Sequence, residues 1–528
     1  MRDFEAPGRS VAVGSRGMVA TSNPQAALAG LDVLRSGGNA IDAAVAAAAM
    51  LAVVEPTQTG IGGDCFVMLR KRGQAPVALN GSGWAAKAAS AEELRGRGMA
   101  SIPVDSVHAL TVPGAVRAWN RLVEDYGTRS LQELLEPAIG AAELGYLVTE
   151  RLAHDWARQA AKMMATAEAK ALFFPAGRAP ALGERRSNPQ LGKTLRAIAK
   201  SGADSFYEGW VAENIVTSLR KKGSLLSLDD FAEFKPEYVT PISASYRGYR
   251  LWECPPNGQG VVALQIAAML EAFDLSAMGP LSAERFHLQA ELSRIAYAQR
   301  NAFLCDPRFN AVDVNELLSD DTIERLTRGI DLDTKSDGWT PVALPEHKDT
   351  VYVSVADSDG TLVSFINSIY DDFGSGIVAP GTGVLMHNRG SGFVLEEGHP
   401  NELQGRKRPM HTIIPALVTK DADTVMSFGV TGGHFQPAGQ LQVLSNIVDY
   451  GMSVQQAIDH ARMFARGDVL ELERTVPDAV WSGLRKRGHE PVAAPSPLGT
   501  CHAIWVDQGS GVYMGGSDGR RDGLAIGF

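Results

Sequence analysis

Thr350 is the residue in this chain whose position invites chemistry. It stands where a loop rich in Asp, Lys, Pro and Gly, 331–348, meets the run Val351-Tyr352-Val353-Ser354-Val355-Ala356-Asp357, dense in β-branched side chains. Asp357-Ser358-Asp359-Gly360 then gives a hairpin-turn signal, and a second strand-like run follows over 361–369. A threonine freed at its own amino group can use that amine as the base that activates its own hydroxyl. An α-amino group has a reference pKa of about 7.7 to 8.0, near the operating pH, where a general base is most useful. The β-methyl group limits χ1 and helps to aim the hydroxyl. An ordinary strand start would carry the same pattern, so the rest of the chain must decide.

Other chemistries find less support. Gly515-Gly516-Ser517-Asp518-Gly519 fits the G-x-S-x-G pattern of a nucleophile elbow, but no His follows Ser517 in the sequence. Gly192-Lys193-Thr194 resembles the end of a phosphate loop, yet Ser187 stands where the earlier glycine is required. His387, His411 and His434 have no metal-ligand spacing, and Cys65, Cys254, Cys305 and Cys501 lie far apart without a CxxC pair. The expectation is a protein with no metal and no cofactor, its cysteines reduced.

The elements around Thr350 read as alternating helices and strands. A strand is expected over 11–22, then a helix over 24–36 closed by Gly37-Gly38. The run Ala40 to Val54 is too short to span a bilayer and so poor in large side chains that it must pack closely, as a helix on a sheet. Amphipathic helices are expected over 115–126, 131–144, 149–167, 191–201 and 211–222, with a strand pair near 239–251. Helices follow over 261–273 and 292–303, and beyond Thr350 strands and glycine turns dominate, with helices over 438–450 and 453–461. The 528 residues show no long linker, and the net charge of -10 argues against a nucleic-acid partner. The first residues lack the apolar core of a secretory signal, so a cytoplasmic, non-membrane protein acting on small molecules is expected.

Several stretches, in order, resemble the gamma-glutamyltranspeptidases. They are Gly37 to Ala44, Gly60-Ile61-Gly62-Gly63-Asp64, Tyr246-Arg247-Gly248-Tyr249, Pro255 to Gly260, the segment around Thr350, Phe373 to Gly376, Lys407-Arg408-Pro409, Gly432-Gly433 and Arg520 to Gly523. The resemblance implies an α/β (α+β) fold, a four-layer αββα sandwich of the N-terminal-nucleophile hydrolase type. It implies a precursor that cuts itself between Asp349 and Thr350 into a large subunit, 1–349, and a small one, 350–528, which together form a heterodimer and leave open a dimer of heterodimers. Ser368 matches a hydroxyl that hydrogen-bonds the nucleophile. Gly432 and Gly433 match an oxyanion hole, where losing one N–H donor costs about 3 kcal/mol of barrier.

The substrate pocket departs from the better-known transpeptidases. Their carboxylate-gripping arginine corresponds to Ser82, an asparagine to Tyr370, an ammonium-binding aspartate to Gly392 and a serine pair to His411-Thr412, while Arg389 replaces a neutral glutamine. One cation appears where the family's anion is lost, which suits an acyl group with a carboxylate but no α-amine. Oxamate amidohydrolases and glutaryl or cephalosporin-type acylases are the relatives this fits, beside cleavage of γ-glutamyl compounds such as glutathione. The segment 393–409 is also shorter than the family's lid loop, which favours hydrolysis over transfer. An uncleaved protein that only binds an acidic metabolite is the reading from another class.

Overall fold

The computed structural model describes residues 8–311, 313–336 and 350–528. Two seven-stranded antiparallel sheets form its centre. Their strands are β1 (Ala12–Gly14), β2 (Met18–Thr21), β3 (Asp64–Arg70), β4 (Val77–Gly81), β5 (Glu237–Val239), β6 (Ile242–Tyr246) and β7 (Tyr249–Glu253) before Thr350. After it come β8 (Val351–Ala356), β9 (Leu362–Ser368), β10 (Ala416–Lys420), β11 (Asp423–Val430), β12 (Cys501–Val506), β13 (Tyr513–Ser517) and β14 (Leu524–Gly527). One sheet runs β1-β13-β12-β11-β10-β7-β6 and the other β14-β2-β8-β9-β3-β4-β5. Each sheet therefore takes strands from both sides of Thr350, and β8 sits in the interior of its sheet between β2 and β9.

Alternation along β8 explains why every residue of that strand is buried. Val351, Val353 and Val355 belong to the apolar cluster formed with α1 (Pro24–Arg35) and α2 (Ala40–Val54), whereas Tyr352 and Ala356 belong to the cluster between the sheets. A third cluster joins the other sheet to α3 (Gly260–Leu270) and α5 (Gln436–Val448), flanked by α4 (Ala283–Phe303). The layers are thus helix, sheet, sheet, helix, the αββα sandwich. In α2 all fifteen residues are buried, and Asn39 and Asp42 close its start as a capping box. Its alanines let a helix lie close against the valine face of β8.

Three expectations need adjustment. The opening strand is two strands, because the chain bends at Ser15-Arg16-Gly17 before re-entering the other sheet. The helix expected from 292 starts at Ala283; Arg285, His287, Gln289 and Glu291 are all buried there and break the apolar periodicity. The helix expected over 149–167 is split into Glu150–Arg158 and Ala160–Met163. Asp349 lies outside the described residues.

Candidate active site

Thr350 immediately precedes β8 and is only 2% exposed. Its Oγ1 lies 2.6 Å from Oγ of Ser368, the last residue of β9, in the strand that pairs with β8. The Tyr370 backbone N–H donates to Ser368 Oγ at 2.9 Å. With that lone pair occupied, the Ser368 hydroxyl proton is free to point at Thr350. Ser368 is in turn the cross-strand partner of Asp64 in β3.

Packing between the sheets brings a glycine turn to the same end. Tyr352 Oη lies 3.2 Å from Ser427 Oγ, Ser354 Oγ lies 2.8 Å from the same oxygen, and a Cβ on Gly429 would strike the Tyr352 ring at 2.3 Å. Numbers fall along β8 as they rise along β11. Carried two residues further, this register sets Thr350 level with the turn that follows β11. That turn is Gly432 and Gly433, with φ of 108° and 57°, a backbone that a side chain would strain. Thr431 N–H donates to Thr500 O at 2.7 Å, Phe435 N–H to Gly432 O at 3.0 Å, and α5 begins at Gln436. The positive end of α5 thus lies just behind the turn, with the Gln436 N–H donating to Gly433 O.

Arg389 forms the third part. It is fully buried, its Nη1 donates to Thr412 Oγ1 at 2.9 Å, and its Cζ sits 3.5 Å from the centroid of the Tyr370 ring. Its Nε and Nη2 have no hydrogen-bond partner among the described residues. Burial lowers the guanidinium pKa below the usual arginine value, while Tyr370 and Asp64 oppose this. Tyr370 itself has φ of 76°, outside the range such a residue ordinarily adopts. A Cβ at Gly392 would lie 2.4 Å from Arg389 Nη2. The cation at 389 and the lost side chain at 392 are therefore one steric feature.

His411 and Ser82 stand behind this wall. His411 Nδ1 accepts the Ile413 N–H at 3.3 Å, so its proton is on Nε2, which donates to Asp64 Oδ2 at 3.0 Å. Burial pushes the imidazole down to about 4. Burial alone would raise the Asp64 carboxyl, but His387 and His411 hold it below the usual range; Oδ1 also accepts N–H groups of Gly83 and Gly114 at 3.0 and 3.2 Å. Ser82 Oγ accepts from Asn257 Nδ2 at 3.1 Å. Asp64, Asn257 and Gln259 are site residues that sequence reasoning passed over. Their signal was slight: one carboxylate after the 60–63 turn and two amides in the turn 255–260.

The histidine trio does not converge, since His387 and His411 flank Asp64 while His434 meets Arg300 at 2.8 Å. Another group, His287, Glu291 and His489, has its ligand atoms within 4.8 Å of one another. There the two rings are hydrogen-bonded at 2.7 Å and Arg294 lies 2.7 Å from Glu291, so a proton and a guanidinium occupy the places a cation would need.

The family model for gamma-glutamyltranspeptidase matches residues 26–528. The chain belongs to the gamma-glutamyltranspeptidase family. It is 36% identical to the glutathione hydrolase-like YwrD proenzyme of Bacillus subtilis, covering 98% of this chain and 99% of that one. It is 34% identical to the oxamate amidohydrolase proenzyme of Klebsiella pneumoniae, with 98% and 99% covered. Among solved structures it is similar to the cephalosporin acylase from Bacillus halodurans, with TM-score 0.93, 39% identity and 100% and 99% covered. The gamma-glutamyltranspeptidase of Helicobacter pylori gives TM-score 0.57 and 31% identity over 63% of this chain and 95% of that one. As a member of this family the chain is an amidohydrolase with the N-terminal-nucleophile hydrolase fold. No helix among the described residues is long and apolar enough to cross a membrane.

Proposed function

We propose that the chain is a precursor that cuts itself between Asp349 and Thr350, and that the freed Thr350 is the nucleophile for hydrolysis of an amide whose acyl part bears a carboxylate. The contact between Thr350 Oγ1 and Ser368 Oγ at 2.6 Å, level with the Gly432-Gly433 turn, carries the reading. In the precursor, Thr350 Oγ1 attacks the Asp349 carbonyl, the acyl group moves from nitrogen to oxygen, and water cleaves the ester. That leaves 1–349 and 350–528 as large and small subunits, a heterodimer in which each sheet takes strands from both.

In the mature enzyme the Thr350 amine takes the hydroxyl proton as Oγ1 adds to the substrate carbonyl. The new oxyanion faces the N–H groups of Gly432 and Gly433, helped by the start of α5. Collapse of this intermediate breaks the C–N bond, and the proton held on the amine passes to the leaving nitrogen. Water, deprotonated by the same amine, then splits the ester and restores Thr350. Ser368 donates to Oγ1 and steadies its charge.

The acyl carboxylate would take the two unpartnered N–H groups of Arg389. Tyr370 and Thr412 hold that guanidinium in place, and Ser82 and His411 support the wall. Since Arg389 fills the space over Gly392, an acyl group without an α-ammonium fits better than a γ-glutamyl group. The names of the oxamate amidohydrolase and cephalosporin acylase relatives support the same direction. The test is a panel of oxamate, a glutaryl amide and a γ-glutamyl anilide, with and without glycylglycine. Preference for the first two and little response to glycylglycine support the reading; preference for the γ-glutamyl compound, or a large gain with glycylglycine, refutes it. Four free, buried cysteines suit a reducing compartment, and we place the enzyme in the cytoplasm.

A further inference from the structure

Behind the site, one buried amide joins two elements that the mechanism uses separately. Gln259, just before α3, is fully buried, and its Nε2 donates to Thr412 O at 2.8 Å and to Gly433 O at 2.9 Å. Its Oε1 accepts from Arg300 Nη1 at 2.8 Å, and its own N–H donates to His411 O at 2.9 Å. The orientation is dictated: two carbonyls need donors and a guanidinium offers only donors, so the amide cannot be turned over. Arg300 is buried in α4, and burial lowers it to about 10. Its Nη1 also meets His434 Nδ1, and Tyr297 Oη donates to His434 O.

The two carbonyls belong to different parts of the site. Thr412 holds Arg389 through its Oγ1, and Gly433 is half of the glycine turn. Gly433 O, held by Gln259 and by the Gln436 N–H, fixes the plane of the peptide after Gly433, while Phe435 N–H on Gly432 O fixes the plane before it. The plane before Gly433 carries the Gly433 N–H, so the Phe435 bond aims that donor while Gln259 anchors the residue from its far side.

We propose that Gln259, aimed by Arg300, is a positioning residue that holds Thr412 and Gly433 at one separation, so that carboxylate binding at Arg389 and oxyanion stabilisation are coupled. This rests on the reading above of Arg389 and the glycine turn. A carboxylate that draws Arg389 also draws on Thr412, and the amide passes the constraint to Gly433. An amide of similar shape without a carboxylate gains less from the same turn.

The test uses the full-length, self-processed enzyme and compares oxamate with its uncharged diamide analogue. Turnover by the wild type and its loss in Thr350→Ala test the earlier reading alone; the coupling is judged only from ratios to the processed wild type. Gln259→Met keeps the volume and removes all three side-chain hydrogen bonds. Its kcat should fall by about ten- to a hundredfold on both substrates, the scale of a misplaced transition-state contact. The discrimination between the two substrates should also fall, and Arg389→Met should cost at least about threefold less in the Gln259→Met background than in the wild type. Arg300→Lys keeps a donor for Oε1 and should show the same pattern at smaller size, which covers the case in which Gln259→Met does not fold or process. Unchanged kcat with only a lower melting temperature overturns the proposal. So does a lower kcat with discrimination intact and additive effects of the two substitutions.

Discussion

Replacing Arg389 with Met separates recognition from catalysis. The guanidinium is fully buried, bonded to Thr412 and stacked on Tyr370, with Nε and Nη2 unpartnered among the described residues. Two charge-assisted hydrogen bonds to a substrate carboxylate contribute roughly 1.5–3 kcal/mol each. Taking about 3 kcal/mol as the lower total, Arg389→Met should lower kcat/KM for a carboxylate-bearing amide by on the order of a hundredfold. An uncharged analogue should lose less than about tenfold, since the oxyanion turn and Thr350 are untouched. Stability should move the other way. Each orphaned buried donor costs the free enzyme roughly 1–3 kcal/mol, so a methionine of similar reach should leave the melting temperature equal or higher. Steady-state kinetics on both substrates, with thermal melts of each protein, measure this. An equal loss on charged and uncharged substrates, or a large drop in melting temperature, would refute the assignment of Arg389 to the acyl carboxylate.

Two further substitutions probe the nucleophile and the buried network. Ser368→Ala removes the contact with Thr350 Oγ1 and the acceptor that Ser368 offers the Tyr370 N–H. Loss of one such bond, about 1.4 kcal/mol, should slow self-cleavage and turnover by roughly tenfold each, read from a gel time course and initial rates; slowing of only one would place Ser368 outside the shared machinery. His411 is held neutral, down to about 4, by burial, so the unfolded chain takes up a proton below about 6.5 that the native state refuses until about pH 4. The stability this withholds is complete above about 6.5 and is lost as the pH falls toward about 4, at about 1.4 kcal/mol per pH unit. His411→Gln keeps a donor toward Asp64 and should flatten stability against pH over that interval by about one proton; an unchanged slope would mean that His411 already binds its proton in the native state.

Much of the frame was legible in the sequence because it rests on local patterns. The alanine run of α2 and the β-branched alternation of β8 read as what they are, while the loop-to-strand junction at Thr350 fitted an ordinary strand start as well and took its chemical meaning from the family likeness. Gly432 and Gly433 were found through likeness, and the structure supplies the reason for two glycines, a positive φ at each. The polar groups that brace the site were not legible. Asp64 is one charge at the head of an apolar strand, and Gln259 one amide among turn residues. What matters about each is the partner reached across the sandwich, and no local period encodes that. Arg389 and Gly392 read in sequence as a gained cation and a lost anion; only the 2.4 Å approach of a Cβ to Nη2 shows that the guanidinium lies in the space a side chain at 392 would enter. Buried polar residues misplaced the start of α4 for a related reason, since Arg285 and His287 lie inside where periodicity expects apolar side chains.

On the proposed mechanism, a backbone nitrogen at position 350 is released to act on its own hydroxyl. Intact mass of the purified protein, taken beside turnover of oxamate, tests it most directly. Wild type should resolve into two chains that divide the 56.3 kDa precursor at the Asp349–Thr350 bond, with activity appearing in step. Thr350→Ala should remain one inactive chain of nearly that mass. A wild-type protein that turns over substrate as a single uncut chain, or a Thr350→Ala protein that cuts itself and stays active, would contradict the account.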